Sequence, residues 1–193
     1  MKTKLTLKSA QEIADYYLEE LAPHCERIEI AGSIRRKKDY VGDIEMVAIP
    51  KFETWGSELF GEPLLFNCLE KVINEAHKNG LVLIKNGSRY KQMILPNNNS
   101  KETCYPGDIL LDLFIVLPPA QWGVLFLIRT GPAEFSRKAV TQKNIGGYLP
   151  SDCIVKDGQV LRNGVLIPMS EEDDFLELLG MPGLKPEERA DHG

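Results

Sequence analysis

The sequence contains no apolar run approaching the ~20 residues that a membrane-spanning helix requires, so none of its 193 residues is expected to enter a bilayer. Lysines stand near Met1 without the apolar stretch of a secretory leader behind them, and a cytoplasmic protein is the expectation. Histidine is scarce: His24, His77 and His192 are scattered, and they read as surface or helix-end residues rather than catalytic ones. The four cysteines, Cys25, Cys68, Cys104 and Cys153, form no C-x-x-C pair, which argues against a zinc knuckle or redox couple and for reduced thiols. An excess of basic residues is also missing. The chain has 23 Lys and Arg against 28 Asp and Glu, a net charge of −5, unlike a protein that grips nucleic acid by charge alone. Local clusters exist nonetheless, Arg35-Arg36-Lys37-Lys38 in a row and Lys85, Arg89 and Lys91 on one short stretch. Internal repeats and low-complexity segments are absent.

What is present suits a globular chain. Hydrophobic residues make up 43%, enough for a core without disulfide or metal staples. The length allows one compact domain, or a catalytic lobe with a smaller appended lobe. Ser9-Ala10-Gln11-Glu12 has the form of a capping box. Behind it Ile13, Ala14, Tyr17, Leu18 and Leu21 fall at helical spacing as far as Pro23. Residues 27–31 read as a short strand, 32–42 as a polar, basic turn with a short helical piece, and 43–49 as a strand ended by Pro50. Residues 51–61 read as a loop pinned by Trp55 and Phe60, and 63–78 as a second amphipathic helix with Asn79-Gly80 as its C-cap. Strands at 81–85 and 90–95 flank Asn86-Gly87 as a hairpin, a polar loop covers 96–100, and 108–117 is the most apolar strand. Pro118-Pro119 divides the chain into 1–118 and 119–193. Beyond it the pattern gives helices at 121–129 and 133–142 around Thr130-Gly131-Pro132, a hairpin about Lys156-Asp157-Gly158 and a strand at 165–168. A last helix, 175–179, is capped by Ser170-Glu171-Glu172-Asp173, and a frayed tail follows from Pro182.

Three carboxylates stand out. Asp43 and Glu45 are two apart on a strand, so both side chains leave one face. Asp112 interrupts Ile109-Leu110-Leu111 and Leu113-Phe114-Ile115, and a buried, unpaired carboxylate is costly. It must meet a metal, a basic partner or a wet rim. Nucleotidyl transfer demands such a set: two divalent ions ~3.5–4 Å apart neutralise the triphosphate and activate the attacking hydroxyl, and Mg²⁺ takes hard oxygen ligands. A strand leading through Gly-Ser into a helix adds N–H donors for phosphate. Gly32 lets the backbone approach, Ser33 adds a hydroxyl, and Arg36 or Arg35 can neutralise a terminal phosphate as a fork donor. Trp122 and Phe126 lie at helical spacing and read as core rather than as platforms for a base. Arg35, Lys85, Arg89 and Lys91 are candidates for nucleic-acid phosphates. Each feature alone is common, and it is their order and spacing that carry the reading.

That order resembles a known signature. Ile30-Ala31-Gly32-Ser33-Ile34-Arg35-Arg36 is followed by Asp43-Ile44-Glu45-Met46-Val47, with nine residues between Ser33 and Asp43. This is similar to the hydrophobic-G-S then D-h-[DE]-h pattern of the DNA polymerase beta-type nucleotidyltransferases, and the G-S-x-R-R form with Gly42-Asp43 resembles DNA polymerase family X. Asp112-Leu113-Phe114 resembles the family's third aspartate strand. Gln121-Trp122-Gly123-Val124-Leu125 with Thr130-Gly131 and Phe135 resembles its helix and T-G-x-x-x-F turn. Ser170 to Phe175 with Pro186 and Arg189 resembles the end of its thumb, so the likeness covers about residues 10–190.

The resemblance implies an α+β fold: a polymerase beta-like palm over 1–118, with a twisted mixed sheet and helices on one face, and a small C-terminal α/β thumb over 119–193. It implies that Asp43, Glu45 and Asp112 hold two Mg²⁺ ions, for which Mn²⁺ substitutes, and that Asp112 helps to deprotonate a primer 3′-hydroxyl. Ser33, Arg36 and the Gly42 backbone would hold phosphates, and Thr130 and Gly131 would lie by the nucleotide sugar. The partners implied are a dNTP and primed or gapped DNA held by a monomer. The sequence departs from the family at Glu45 (usually Asp), at Ile128-Arg129 (a Tyr-Phe pair), at Pro132, Ala133 and Ser136, and at Leu110, where a basic residue often supports the primer end. About thirty residues precede Gly32, which leaves no room there for a lyase domain or a full helix-hairpin-helix module, and grip on DNA is expected to be weak and salt-dependent. Two alternatives stand beside this reading: transfer to a non-DNA acceptor (an RNA end, a protein or a small molecule), and a degenerate, non-catalytic binding module.

Overall fold

The computed structural model describes residues 4–55, 64–95 and 108–192. Strand β1 (Leu5–Thr6) leads into helix α1 (Leu7–Leu21). The N-cap is Thr6, whose hydroxyl accepts the Ser9 amide, so the helix starts one turn before the capping box read at Ser9. Pro23 lies in a 3₁₀ turn (Ala22–His24) that delivers the chain to β2 (Cys25–Ile30). Helix α2 is one turn, Gly32–Arg35, and is followed by β3 (Tyr40–Val41) and β4 (Ile44–Pro50).

The segment expected to be a loop instead forms β5 (Phe52–Trp55), which pairs with β6 (Leu64–Asn67). Phe60 lies outside the described residues. Helix α3 (Cys68–Lys78) therefore begins five residues later than its apolar pattern suggested, because the Asn67 side chain caps the Glu70 amide. Strands β7 (Val82–Asn86) and β8 (Tyr90–Leu95) form the expected hairpin, and β9 (Ile109–Ile115) follows. The polar loop expected at 96–100 and Cys104 also lie outside the described residues.

The main sheet runs β2-β4-β9-β8-β7. Only β4 and β9 pair in parallel, so the sheet is mixed. Strand alternation sends Ile44, Met46, Ala48, Leu111, Leu113 and Ile115 to one face. There α1 and α3 bury Ala10, Ala14, Leu69 and Ile73 against them. The opposite face carries Glu45, Val47, Asp112 and Phe114. Part of it is covered by Trp122 and Phe126 of α4 (Trp122–Thr130), which pack with Val47 and Phe114. Both aromatics are therefore core residues, 4% and 3% exposed.

A second core forms after Pro119. It gathers Val124 and Leu127 of α4 with Phe135 and Ala139 of α5 (Ala133–Ala139) and Phe175, Leu176 and Leu179 of α6 (Glu172–Leu179). Strands β10 (Cys153–Lys156), β11 (Gln159–Arg162) and β12 (Val165–Ile167) form an antiparallel meander beside it. Helix α4 is buried on both sides because it faces both cores. At Gly123 a Cβ would stand 2.0 Å from the Glu171 carbonyl, so glycine lets α4 meet the start of α6. A reciprocal cap between Glu171 and Asp174 starts α6. The expected frayed tail is folded instead: 186–192 form a 3₁₀ helix that carries Arg189 to 0% exposure against Glu172. Cys25, Cys68 and Cys153 are buried free thiols. Among the described residues no helix is long and apolar enough to cross a membrane.

Candidate functional site

The parallel register of β4 and β9 sets Glu45 directly opposite Asp112. Two carboxylates from different parts of the chain thus share one sheet face. Asp43 stands just before β4. The β2–α2 turn lies against this pair: the Ala31 amide donates to the Glu45 carbonyl at 2.8 Å. Gly32 takes φ +62°, and a Cβ on it would sit 1.8 Å from Glu45 Oε2. Both the backbone conformation and the space require glycine there.

The electrostatics of Glu45 follow from this crowding. Burial first, then the negative charge of Asp43 and Asp112, push its carboxyl up to about 7, against the pull of Arg36 and Arg129. Burial pushes the Arg36 and Arg129 guanidinia below their usual range, while nearby carboxylates draw them back up. Glu45 is therefore a carboxyl whose ionisation is opposed mainly by burial and further by the acids beside it. Among the described residues no three Asp, Glu, His or Cys side chains close around one point.

Two arginines, Arg36 and Arg129, lie within electrostatic reach of Glu45. Among the described residues five buried side-chain polar atoms lack a partner, and three of them are Ser33 Oγ, Arg36 Nε and Arg129 Nε. An unsatisfied buried donor is costly unless an acceptor arrives. Arg129 also lies over the Phe114 ring, 3.9 Å from guanidinium carbon to ring centre.

The two adjacent arginines part company. Arg36 Nη1 donates to the carbonyls of Thr130, at 2.6 Å, and Gly131, at 3.2 Å. Arg35 is absorbed into the fold. It grips both Glu172 oxygens at 2.8 and 2.7 Å and the Thr130 hydroxyl at 2.8 Å, with its guanidinium over Phe126. Arg189 joins it at Glu172 Oε1, 2.8 Å. Burial alone would raise the Glu172 carboxyl; hydrogen bonds from Arg35 and Arg189 outweigh it and hold the carboxyl below its usual range. The guanidinium of Arg35, a nucleic-acid candidate in the sequence, is thus already partnered within the fold. Thr130 is fully buried, with its hydroxyl given to Arg35, while Gly131 remains half-buried beside it.

The second basic cluster also divides. Lys85 and Arg89 are exposed, Lys85 with its ammonium 5.2 Å from the Tyr90 ring centre and Arg89 donating to the Pro118 carbonyl at 3.0 Å. Lys91 is 0% exposed, held by Asn86 and by Glu70 of α3 on the opposite face of the sheet. Its charge serves the fold and is withdrawn from any phosphate. Gly42, expected to offer its backbone to phosphate, is exposed with open space about it.

Sequence reasoning missed Tyr90 and Gln92. The Tyr90 hydroxyl and the Gln92 amide both donate to Asp112 Oδ1, each at 2.8 Å. Burial and the neighbouring Asp112 push the Tyr90 phenol up to about 12, so it stays a donor. It missed as well the Arg27–Glu171 contact, 2.7 Å, which ties β2 to the cap of α6. Compared with known proteins, the chain matches no family model and no curated protein.

Proposed function

We propose that the chain is a metal-dependent nucleotidyltransferase, akin to DNA polymerase family X, that adds dNMP to a primer 3′-hydroxyl and releases pyrophosphate. The observation that carries this reading is the pairing of Glu45 with Asp112 across β4 and β9, against a Gly-Ser turn with no room for a Cβ. In this reading Asp43, Glu45 and Asp112 hold two Mg²⁺ ions, which when bound supply Lewis-acid stabilisation of the charge on the triphosphate. Ser33 offers its unpartnered hydroxyl to a phosphate oxygen. Arg36, lying between the carboxylates and the carbonyls of Thr130 and Gly131, neutralises the leaving pyrophosphate. Asp112 takes the proton of the attacking hydroxyl as the new oxygen–phosphorus bond forms and the bond to pyrophosphate breaks. The palm-and-thumb division at Pro118 belongs to the same reading, supported by the separate cores on either side of it.

A second acceptor class has one observation in its favour. With Arg35 and Lys91 committed to the fold, only Lys85 and Arg89 of the nucleic-acid candidates are exposed. That suits a small or non-DNA acceptor better than a long duplex.

The test is incorporation of labelled dNTP onto a one-nucleotide-gapped duplex with Mg²⁺ or Mn²⁺, beside Asp112→Ala. Template-directed extension that is lost in Asp112→Ala is the expected result. Nucleotide binding without extension redirects the search to other acceptors, and no Mg²⁺–dNTP binding at all leaves a non-catalytic module.

A further inference from the structure

Asp112 stands mid-strand between Glu45 on β4 and Gln92 on β8, its direct neighbours across the sheet. Tyr90 lies two residues before Gln92, on the same face, opposite Phe114. Its ring stacks on Phe114 with centroids 5.1 Å apart and planes at 17°. Phe114 is itself 8% exposed and packed under Trp122 and Phe126, so the ring has a fixed bed and its hydroxyl a fixed reach. Both donors land on the same oxygen, Oδ1, at 2.8 Å. A carboxylate oxygen has two lone pairs, and here one oxygen receives two donors. The donors come from the β7–β8 hairpin that also bears Lys85 and Arg89. Nothing in the Gly-Ser or D-x-E pattern foreshadows them, and Leu110, two residues before Asp112 on β9, brings no donor of its own.

We propose that Tyr90 and Gln92 are positioning residues that saturate Asp112 Oδ1, fix the plane of its carboxylate and reserve Oδ2 for the cation and the attacking hydroxyl. This rests on the reading of the site as a nucleotidyltransferase centre. Without the two donors the carboxylate rotates about its terminal bond, and one ligand direction is lost. Mg²⁺ demands near-ideal octahedral geometry, so the loss falls hardest on it. Groups that orient metal-binding side chains typically contribute about 10–100-fold to affinity or activity.

The variants are Tyr90→Phe, which keeps the ring on Phe114, Gln92→Met, which keeps the volume, the pair together, and Asp112→Asn as reference. Turnover with Mg²⁺ and with Mn²⁺, the KM for dNTP, uptake of Mn²⁺ followed by loss of the free-ion EPR signal, and the thermal midpoint are measured on each. The expected result for each single variant is a turnover about 10-fold lower with Mg²⁺, with an unchanged KM for dNTP and an unchanged thermal midpoint. The loss is expected to shrink when Mn²⁺ replaces Mg²⁺, and the double variant to approach Asp112→Asn. A double variant with wild-type turnover and wild-type Mn²⁺ uptake overturns the proposal. So does a loss that merely tracks a falling thermal midpoint. If the wild type transfers no nucleotide, the reading of the site as a nucleotidyltransferase fails separately. Mn²⁺ uptake then decides alone: weakening in the double variant upholds the positioning role, and equal uptake removes it.

Discussion

Glu45 is the group on which the site's charge can be measured without any assay of transfer. Its carboxyl is held at about 7 instead of 4.5, through burial and the repulsion of Asp43 and Asp112. At 1.36 kcal/mol per pH unit, ionising it in the folded chain costs about 3 kcal/mol more than in the unfolded chain. Water reaching the open side of the site discounts this to about 2 kcal/mol. The sign follows from proton binding. Between pH 4.5 and about 7 the folded state holds the proton that the unfolded state has released, so stability falls as pH rises through that window. The stability that Glu45 contributes as a neutral acid is fully present below the unfolded value and is gone above about 7.

Glu45→Gln keeps the shape and removes the charge. At pH 8, with divalent ions chelated, it is predicted to be more stable than the wild type by about 2 kcal/mol, or about 4–8 °C in thermal midpoint for a chain of this size. At pH 5 the gap should shrink to about a quarter, because the wild-type group is then mostly protonated in the folded state. Added Mg²⁺ should raise the wild-type midpoint and leave the variant nearly unmoved. Scanning calorimetry of both proteins across this pH range is the assay. The difference between the two curves reports Glu45 together with its coupling to Asp43 and Asp112. A variant no more stable than the wild type at pH 8, or a gap of equal size at both pH values, would refute the account of Glu45 as a carboxyl whose ionisation is opposed by burial and its acidic neighbours.

Further outcomes follow from other parts of the molecule. Arg189→Met leaves Glu172 buried with one partner fewer and should cost about 3 kcal/mol in urea unfolding at pH 7; since the Glu172 carboxyl is held low, that cost should fade as acid protonates it in both proteins. Gly32→Ala places a Cβ 1.8 Å from Glu45 Oε2 and forces a non-glycine residue to φ +62°, so gap incorporation should fall at least ~100-fold, a loss of about 2.7 kcal/mol of transition-state stabilisation. Lys85→Ala and Arg89→Ala should each weaken gapped-duplex binding and flatten its salt dependence by about one charge, whereas Lys91→Met should leave that slope unchanged.

The difference between Lys85 and Lys91 shows what a linear reading sees and where it stops. Grouping the basic residues of 85–91 assumed a shared surface, but a strand turns successive side chains to opposite faces. Tyr90 and Gln92 face Asp112, so Lys91 between them must face the α3 side of the sheet, where Glu70 of α3 and Asn86 of β7 receive it. The alternation itself was legible. What it lacked was which face of β8 held the carboxylates, and that is fixed by pairing with β9, a register set across residues far apart in the chain. The same limit hid the donors on Asp112: a tyrosine and a glutamine in a hairpin carry no signal until the register puts them opposite an aspartate.

The arginine pair makes the complementary case. Gly32, Asp43 and Glu45 were legible because their chemistry is local: a turn that needs glycine and a strand that alternates acid with apolar residues. Arg35 and Arg36 looked interchangeable as phosphate donors, since a short basic turn says nothing of where each side chain leads. One residue of rotation about a single helical turn separates their fates. Arg35 reaches Glu172, 137 residues on, and Arg36 the carbonyls of Thr130 and Gly131. The charge of Arg35 is spent holding α6 to the site, and Glu172 is buried only because Arg35 and Arg189 are there to meet it. The C-terminal segment thus shapes the site from behind, by fixing α4 and its Thr130-Gly131 end, and brings Arg129 towards Glu45 and Asp112. A sequence in which Arg35, Glu172 and Arg189 changed together to apolar residues of similar volume would leave no buried charge unpaired and should keep the fold, whereas losing Arg36 would remove an arginine that lies between the carboxylates and the Thr130-Gly131 turn.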